Sequence, residues 1–191
     1  MKKTIFLLAM AIIAITCKAS PIGSWKAYPA YSDITEIEPT GNLVYVLASE
    51  DLYSYNKSDN SLQTYDKITG LSDCGIAHIA YCKAAKRLLI LYKNYNIDLL
   101  DSKGNVINIS DYYNKSMTED KTVHNISING NYAYLATSFG ILKLNVKDAE
   151  ISDTYNLGYK VNGSVIFNGY MYLVTPSGTM KGNITKNLLD K

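Results

Sequence analysis

Arginine occurs once in the 191 residues, at Arg87, and the chain holds only two histidines, three cysteines and four prolines. One arginine and no basic stripe leave nothing to neutralise a phosphate backbone, so nucleic acid is not an expected partner. The histidines, His78 and His124, stand in no spacing that makes a metal site, and both fall near strand starts, where a structural role is expected. The chain lacks a GxSxG elbow, a phosphate-binding glycine loop and an HExxH helix. Carboxylates such as Asp33, Asp73, Asp98 and Asp111 lie at strand ends and in loops, where solvated side chains are expected. Two of them facing each other across a central channel would be the one route to a hydrolase. No catalytic, metal or cofactor-binding residue is assigned, no cofactor is expected, and the ligand-binding residues are left unknown. The Asn-x-Ser/Thr matches at Asn125 and Asn183 carry no weight in a chain this rich in asparagine.

Long apolar runs are equally scarce. The one of note, Ile5 to Ile15, follows Lys2-Lys3 and precedes Lys18-Ala19-Ser20-Pro21. That is the layout of a secretory signal peptide over residues 1–19, too short to span a bilayer, with cleavage expected after Ala19. Cys17 offers lipid attachment as a second route, although Ala14-Ile15-Thr16 fits a lipobox poorly. The expected location is therefore outside the cytoplasm, in the periplasm or at the outer-membrane surface, with no transmembrane segment after signal removal. Without residues 1–19, Lys+Arg falls from 19 to 16 against 17 Asp+Glu, a net charge of −1. Cys74 and Cys82 remain, separated by a strand-like IAHIAY. Eight extended steps place their Cα atoms about 26 Å apart, beyond the roughly 7 Å a disulfide spans. Two free buried thiols are expected.

What the chain has in quantity is tyrosine, 17 residues, arranged in a repeat. NLVYVLA (42–48), RLLILYK (87–93), NYAYLAT (131–137) and GYMYLVT (169–175) start at intervals of 45, 44 and 38 residues. Each is preceded by a strand (34–39, 76–81, 125–130, 163–168) and followed by a shorter one (51–56, 96–101, 140–145, 178–183). The first three units add a fourth strand at 62–66, 106–110 and 151–156. Four short antiparallel strands in 40–45 residues mark a β-propeller blade. Glycine turns at Thr40-Gly41, Asn129-Gly130 and Asn168-Gly169 suit tight hairpins between first and second strands, and no segment reads as helix. LVYVLA and LLILY do not alternate, as expected of sheets covered on both faces. Tyr45, Tyr134 and Tyr172 share one column, so most tyrosines are expected to be packing residues, with a sugar-binding platform the alternative for exposed ones.

The reading is thus an all-β chain of four four-stranded antiparallel blades, a partial ring, over residues 20–191. The blades run at approximately 33–73, 74–122, 123–160 and 161–191. WKAYPAYSDITEI (25–37) parallels LQTYDKITGLSDCGIAHI (62–79), so residues 25–30 read as an outer strand. Either that strand completes the fourth unit in a closed four-bladed ring, or the four blades are an arc of a larger one.

NISINGNYAYLATSFGILKLN (125–145) resembles the extracytoplasmic two-component regulator propeller repeats of Bacteroidetes. TGLSDCGIAHIAY (69–81), LLILYKNYNIDLLDSKGNVINISD (88–111) and GNITKNLLDK (182–191) resemble more specifically the PorZ-type N-terminal propellers of type IX secretion. That resemblance covers roughly residues 21–191 and favours the arc. It implies a non-enzymatic binding or scaffold propeller at the bacterial cell surface. The implied partners are proteins of the secretion and attachment machinery or lipopolysaccharide sugar. The alternative is an extracytoplasmic glycan-sensing propeller of the hybrid two-component regulator type. An enzyme on the same fold is the third reading.

Overall fold

In the computed structural model, which describes residues 31–186, fifteen strands form four separate antiparallel sheets. Blade one is β1 (Ile34–Thr40), β2 (Leu43–Ala48), β3 (Asp51–Asn56) and β4 (Leu62–Tyr65). Blade two is β5 (Ile76–Cys82), β6 (Arg87–Tyr92), β7 (Ile97–Asp101) and β8 (Val106–Ile109). Blade three is β9 (Val123–Asn129), β10 (Tyr132–Thr137), β11 (Gly140–Asn145) and β12 (Glu150–Asn156). Blade four has three strands among the described residues: β13 (Gly163–Phe167), β14 (Tyr170–Thr175) and β15 (Gly178–Asn183). Every sheet is a simple up-and-down meander. The first strands of successive blades lie side by side, β1 against β5, β5 against β9 and β9 against β13. No comparable contact joins β13 back to β1 among the described residues, so the four sheets form an arc. The signal segment 1–19 and the spare strand at 25–30 lie outside the described residues.

Period-two patterning explains why the second strands are apolar throughout. In β6, Leu88, Ile90 and Tyr92 point into the core shared with blade one, while Leu89 and Leu91 point into the core shared with blade three. In β10, Ala133 and Leu135 face blade two, and Tyr134 and Ala136 face blade four. A blade between two neighbours therefore has no wet face on its second strand. The tight turns follow from glycine's access to positive φ. The loops between first and second strands are Gly41-Asn42, Gly130-Asn131 and Asn168-Gly169, with glycine φ of 66°, 60° and 76°. Only the last has the order asparagine then glycine; in the other two the preceding residue is still strand and glycine comes first.

Three expectations need correction. A single helical turn, α1 (Asp111–Asn114), interrupts the otherwise all-β chain. It forms because Tyr112 is drawn into the core between blades two and three, its hydroxyl donating to Lys121 O at 2.6 Å. The Lys121 ammonium in turn donates to the exposed carbonyls of Tyr112, Tyr113 and Lys115, capping the turn. Second, of the two free cysteines only Cys82 is buried; Cys74 is exposed in the loop before β5. Third, Asp98 is no solvated loop carboxylate. It lies within β7 at 0 % exposure and accepts from Tyr92 Oη (2.6 Å), Ser72 N (2.8 Å) and Asn108 Nδ2 (2.9 Å). Three donors compensate the loss of water that would otherwise forbid a buried carboxylate.

Candidate functional site

Of the carboxylates singled out in the sequence, Asp73 and Asp98 come near each other around the Tyr92 hydroxyl, while Asp33 and Asp111 stand apart. Asp33 supplies a backbone acceptor to Ser49, Asp73 accepts from Cys74 N and Asn94 Nδ2, and Asp111 opens α1. Asp98 is committed to its own network, and Asp73 holds the loop beside it. No cluster of three or more His, Cys, Asp or Glu with the makings of a metal site occurs among the described residues.

Both histidines are bound into the scaffold. His78, in β5, has Nδ1 2.5 Å from Glu36 Oε1 of β1 and Nε2 3.2 Å from Val123 O of β9. Both nitrogens face acceptors, which suits the doubly protonated ring. The hydrogen bond that His78 donates to Glu36 leads the causes that raise the His78 pKa above its usual 6.5, against an opposing effect of burial. Glu36 also accepts from Ile79 N at 2.7 Å, so one ion pair ties blades one, two and three together at their first strands.

A constellation that sequence spacing did not reveal brings His124, Ser138 and Asp120 together. His124 Nε2 lies 2.9 Å from Ser138 Oγ, and that hydroxyl donates to Asp120 Oδ2 at 2.8 Å. The order is wrong for a nucleophile. An activated serine donates to histidine, and the carboxylate sits behind the imidazole. Here serine donates to the carboxylate, so the imidazole must donate to serine and cannot serve as its base. Asp120, held low by the Thr122 hydroxyl first and then by Thr122 N and Ser138, anchors the loop that enters β9.

An open cleft of about 470 Å³ lies between blades three and four. Asn129, Gly130, Asn131, Tyr132, Tyr134, Lys143 and Tyr155 line it from blade three; Met171 and Ile184 line it from blade four. The preceding junction explains the opening. Between blades two and three, Arg87 at the start of β6 reaches across and donates to Val146 O and Lys147 O, both at 2.9 Å, while Cys82 Sγ approaches Gly130 O at 3.3 Å. Tyr132 holds the place of Arg87 at the start of β10, and Ile184 holds that of Val146 just past the third strand. Each of those two donates its backbone N–H back to the first hairpin of its blade, Val146 N to Asn131 O and Ile184 N to Gly169 O. A tyrosine in place of the arginine leaves the junction unplugged, and Ile184 is exposed where Val146 is buried.

Within the cleft, Tyr134 is 6 % exposed, and burial raises its pKa and keeps it protonated. Tyr155, pushed up to about 12 by burial and by its bond to Asp153, is likewise a neutral phenol. Lys143 Nζ lies 4.5 Å over the Tyr132 ring and makes no ion pair among the described residues. The cleft thus offers aromatic surface, two amides, neutral phenols and an ammonium.

Stacked antiparallel meanders of three or four strands, arranged in an arc, define a β-propeller module. The sequence matches, over residues 44–191, the family described as TSS9, PorZ, N-terminal beta-propeller domain. The chain belongs to that family. Among solved structures it is similar to PorZ of Porphyromonas gingivalis, described as an essential bacterial surface component of the type IX secretion system. The two are 34 % identical with a TM-score of 0.78, over 84 % of this chain and 22 % of that one, so the chain spans about a fifth of that protein's length. It is also similar to the extracellular domain of the putative one-component system BT4673 from B. thetaiotaomicron (13 % identity, TM-score 0.66, 80 % of this chain and 21 % of that). A third likeness is to the extracellular domain of the putative hybrid two-component system BT3049 of the same organism (18 %, 0.60, 87 % and 24 %). At these identities the last two show the fold alone. No curated protein sequence matches the chain. No helix among the described residues is long and apolar enough to cross a membrane.

Proposed function

We propose that the chain serves as a non-enzymatic binding and scaffold propeller of an exported, cell-surface type IX secretion component. The observation that carries this reading is 34 % identity to PorZ maintained across 84 % of the chain. The chemistry agrees with it. Polar groups with the potential for catalysis are consumed in the scaffold, Glu36 and His78 in tying blades together and Asp98 within blade two and its entry loop, while the junction between blades three and four stays open. Residues 1–19 act as the export signal, and residues 20–191 form the propeller portion. The partners are proteins of the secretion and attachment machinery, or the sugar of lipopolysaccharide to which cargo is attached. The test is deletion of the gene followed by surface labelling of secreted cargo. The reading expects cargo to be lost from the cell surface; unchanged attachment would refute it.

A further inference from the structure

We propose that one rim of blades two and three docks an acidic protein surface, with Lys83, Lys86, Lys103 and Lys147 as its contacts. The proposal rests on the surface-binding reading and gives it a face. Lys83 and Lys86 lie in the turn between first and second strands of blade two, and Lys103 and Lys147 in turns between third and fourth strands, so all four share one rim of the arc. The junction draws them together, because Arg87, next to Lys86, donates to Lys147 O at 2.9 Å. Local structure fixes where two of them stand. Each third strand ends on an asparagine or aspartate whose side chain accepts from the backbone N–H two residues on: Asn56 from Ser58, Asp101 from Lys103, Asn145 from Lys147 and Asn183 from Thr185. This Asx turn holds Lys103 and Lys147 at the same place in successive blades.

Charge selects the partner. The carboxylates beside these lysines are occupied by the turns themselves. Asp101 accepts from Lys103 N at 2.8 Å, Asn105 N at 2.9 Å and Asn105 Nδ2 at 2.8 Å, and Asp148 accepts from Asn145 Nδ2 at 2.7 Å. All four lysines are exposed, and none makes an ion pair among the described residues. The opposite rim is arranged differently. Both lysine ion pairs of the described residues lie there, Lys67 with Asp73 and Lys93 with Glu50, and Asp66, Asp111, Glu119 and Asp120 help give it an acidic majority. Exposed lysines contribute little to the fold; left unpaired on one rim, they supply a positive field that steers and orients an acidic partner. An anionic membrane is the poorer fit. A lipid surface responds to summed positive charge, whereas here locked carboxylates stand between the lysines. That alternation suits a protein whose own charges are patterned to match.

The experiment is site-directed photo-cross-linking in the native cell, with the full chain replacing the chromosomal copy. A photoreactive phenylalanine is placed at Ser102, on the basic rim, or at Ser116, on the opposite one; both serines are exposed. The Ser102 position is also combined with Lys83→Glu, Lys86→Glu and Lys147→Glu. Position 102 is expected to give a discrete adduct with an acidic protein, identified by mass spectrometry, and position 116 to give little. Charge reversal should lower the adduct yield by about tenfold or more, about 1.4 kcal/mol, and added salt should lower it in the wild-type background. The unfolding midpoint of the charge-reversed chain should match that of wild type, since none of the three ammonium groups makes a hydrogen bond or ion pair among the described residues. Absence of an adduct at position 102, or a yield there that charge reversal leaves unchanged, would overturn the proposal. Adducts from position 116 alone would also overturn it, and would move the partner to the acidic rim while leaving the surface-binding reading intact. Cosedimentation of the purified chain with phosphatidylglycerol vesicles, but not phosphatidylcholine ones, together with no adduct at position 102, would overturn it in favour of a membrane. Unchanged cargo attachment after gene deletion would instead refute the functional reading on which the proposal rests.

Discussion

In blade three the second strand reads YAYLAT and in blade four YMYLVT, and the two hairpins match in detail. Thr137 Oγ1 donates to Gly140 O at 2.9 Å, as Thr175 Oγ1 does to Gly178 O at 2.8 Å. Lys143 stands over Tyr132, as Lys181 stands 3.9 Å over Tyr170. The surroundings differ. Ala136 is 0 % exposed beneath blade four, whereas Val174, in the same column of its own blade, is 51 % exposed. Val165 and Phe167 on the same side of blade four are exposed as well. Backbone geometry belongs to the repeat itself; burial belongs to the neighbour. Identical local chemistry should therefore give unequal mutational costs, and that inequality is measurable.

The largest contrast is at the glycine that opens the third strand. Gly140 has φ of 148°, and a methyl group there would collide with the carbonyl oxygen of Tyr155 on β12. Gly178 has φ of 122° and open space around its Cα. Gly140→Ala combines backbone strain with a clash against a fixed strand and should cost roughly 3 kcal/mol or more. Gly178→Ala retains only the strain and should cost about 1 kcal/mol. Chemical denaturation of the two variants measures the gap; equal losses would mean that the β12 carbonyl yields.

A smaller contrast comes from exchanging the two residues that differ. Ala136→Val adds two methyl groups to a closed junction and should cost about 1–3 kcal/mol. Val174→Ala removes them from a half-exposed position and should stay within about 0.5 kcal/mol. If the second substitution proved as costly as the first, the open side of blade four would have a cover in solution.

These contrasts also mark what could be read from the residues. Strand positions, the meander within each blade and the covered second strands followed from repeat spacing and period two, because local patterning determines them. Burial of Asp98 did not follow. Its three donors, Ser72, Tyr92 and Asn108, come from a loop and two strands, and only the folded chain assembles them. The helical turn at Asp111–Asn114 escaped notice for a similar reason, since Tyr112 is pulled inward by a core formed between blades. The cleft was half legible. The tyrosine column was visible in the repeat, but the arginine that plugs one junction and is missing from the next acquires meaning only when Arg87 is seen reaching Val146 O.

The inner strands offer a third contrast, between a charged clamp and a neutral one. Blades one to three share the Glu36–His78–Val123 bridge, while blades three and four meet through Ser127 Oγ and Ser164 Oγ at 2.9 Å. The His78 pKa is raised in the folded chain above the ordinary 6.5. Its contribution to stability is therefore complete below the unfolded value and disappears as pH rises through the folded one. His78→Gln should lower the unfolding midpoint most in acid solution below about pH 6, with the difference from wild type closing as the medium becomes alkaline. Ser164→Ala should give a deficit that does not vary with pH. A His78→Gln deficit that is equally flat would show that the bridge does not depend on the ring's charge.

The finest test concerns the two lysines over tyrosine rings. Lys143 is partly covered by blade four, and its charge sits over Tyr132 in a site with restricted water; Lys181 lies on an exposed side of the sheet. A cation over an aromatic face gains about 0.5–1 kcal/mol when exposed and more when desolvated. Substituting each lysine with methionine keeps most of the aliphatic stem and removes the charge. Lys143→Met should thus lose more stability than Lys181→Met, by a margin of only about 0.5 kcal/mol. Salt sharpens the reading, because screening acts on exposed charges first. Raising ionic strength should erase the Lys181 contribution while leaving most of that from Lys143. If both contributions fade together, the cleft is as wet as the open face, and Lys143 meets any ligand there as an ordinary surface charge.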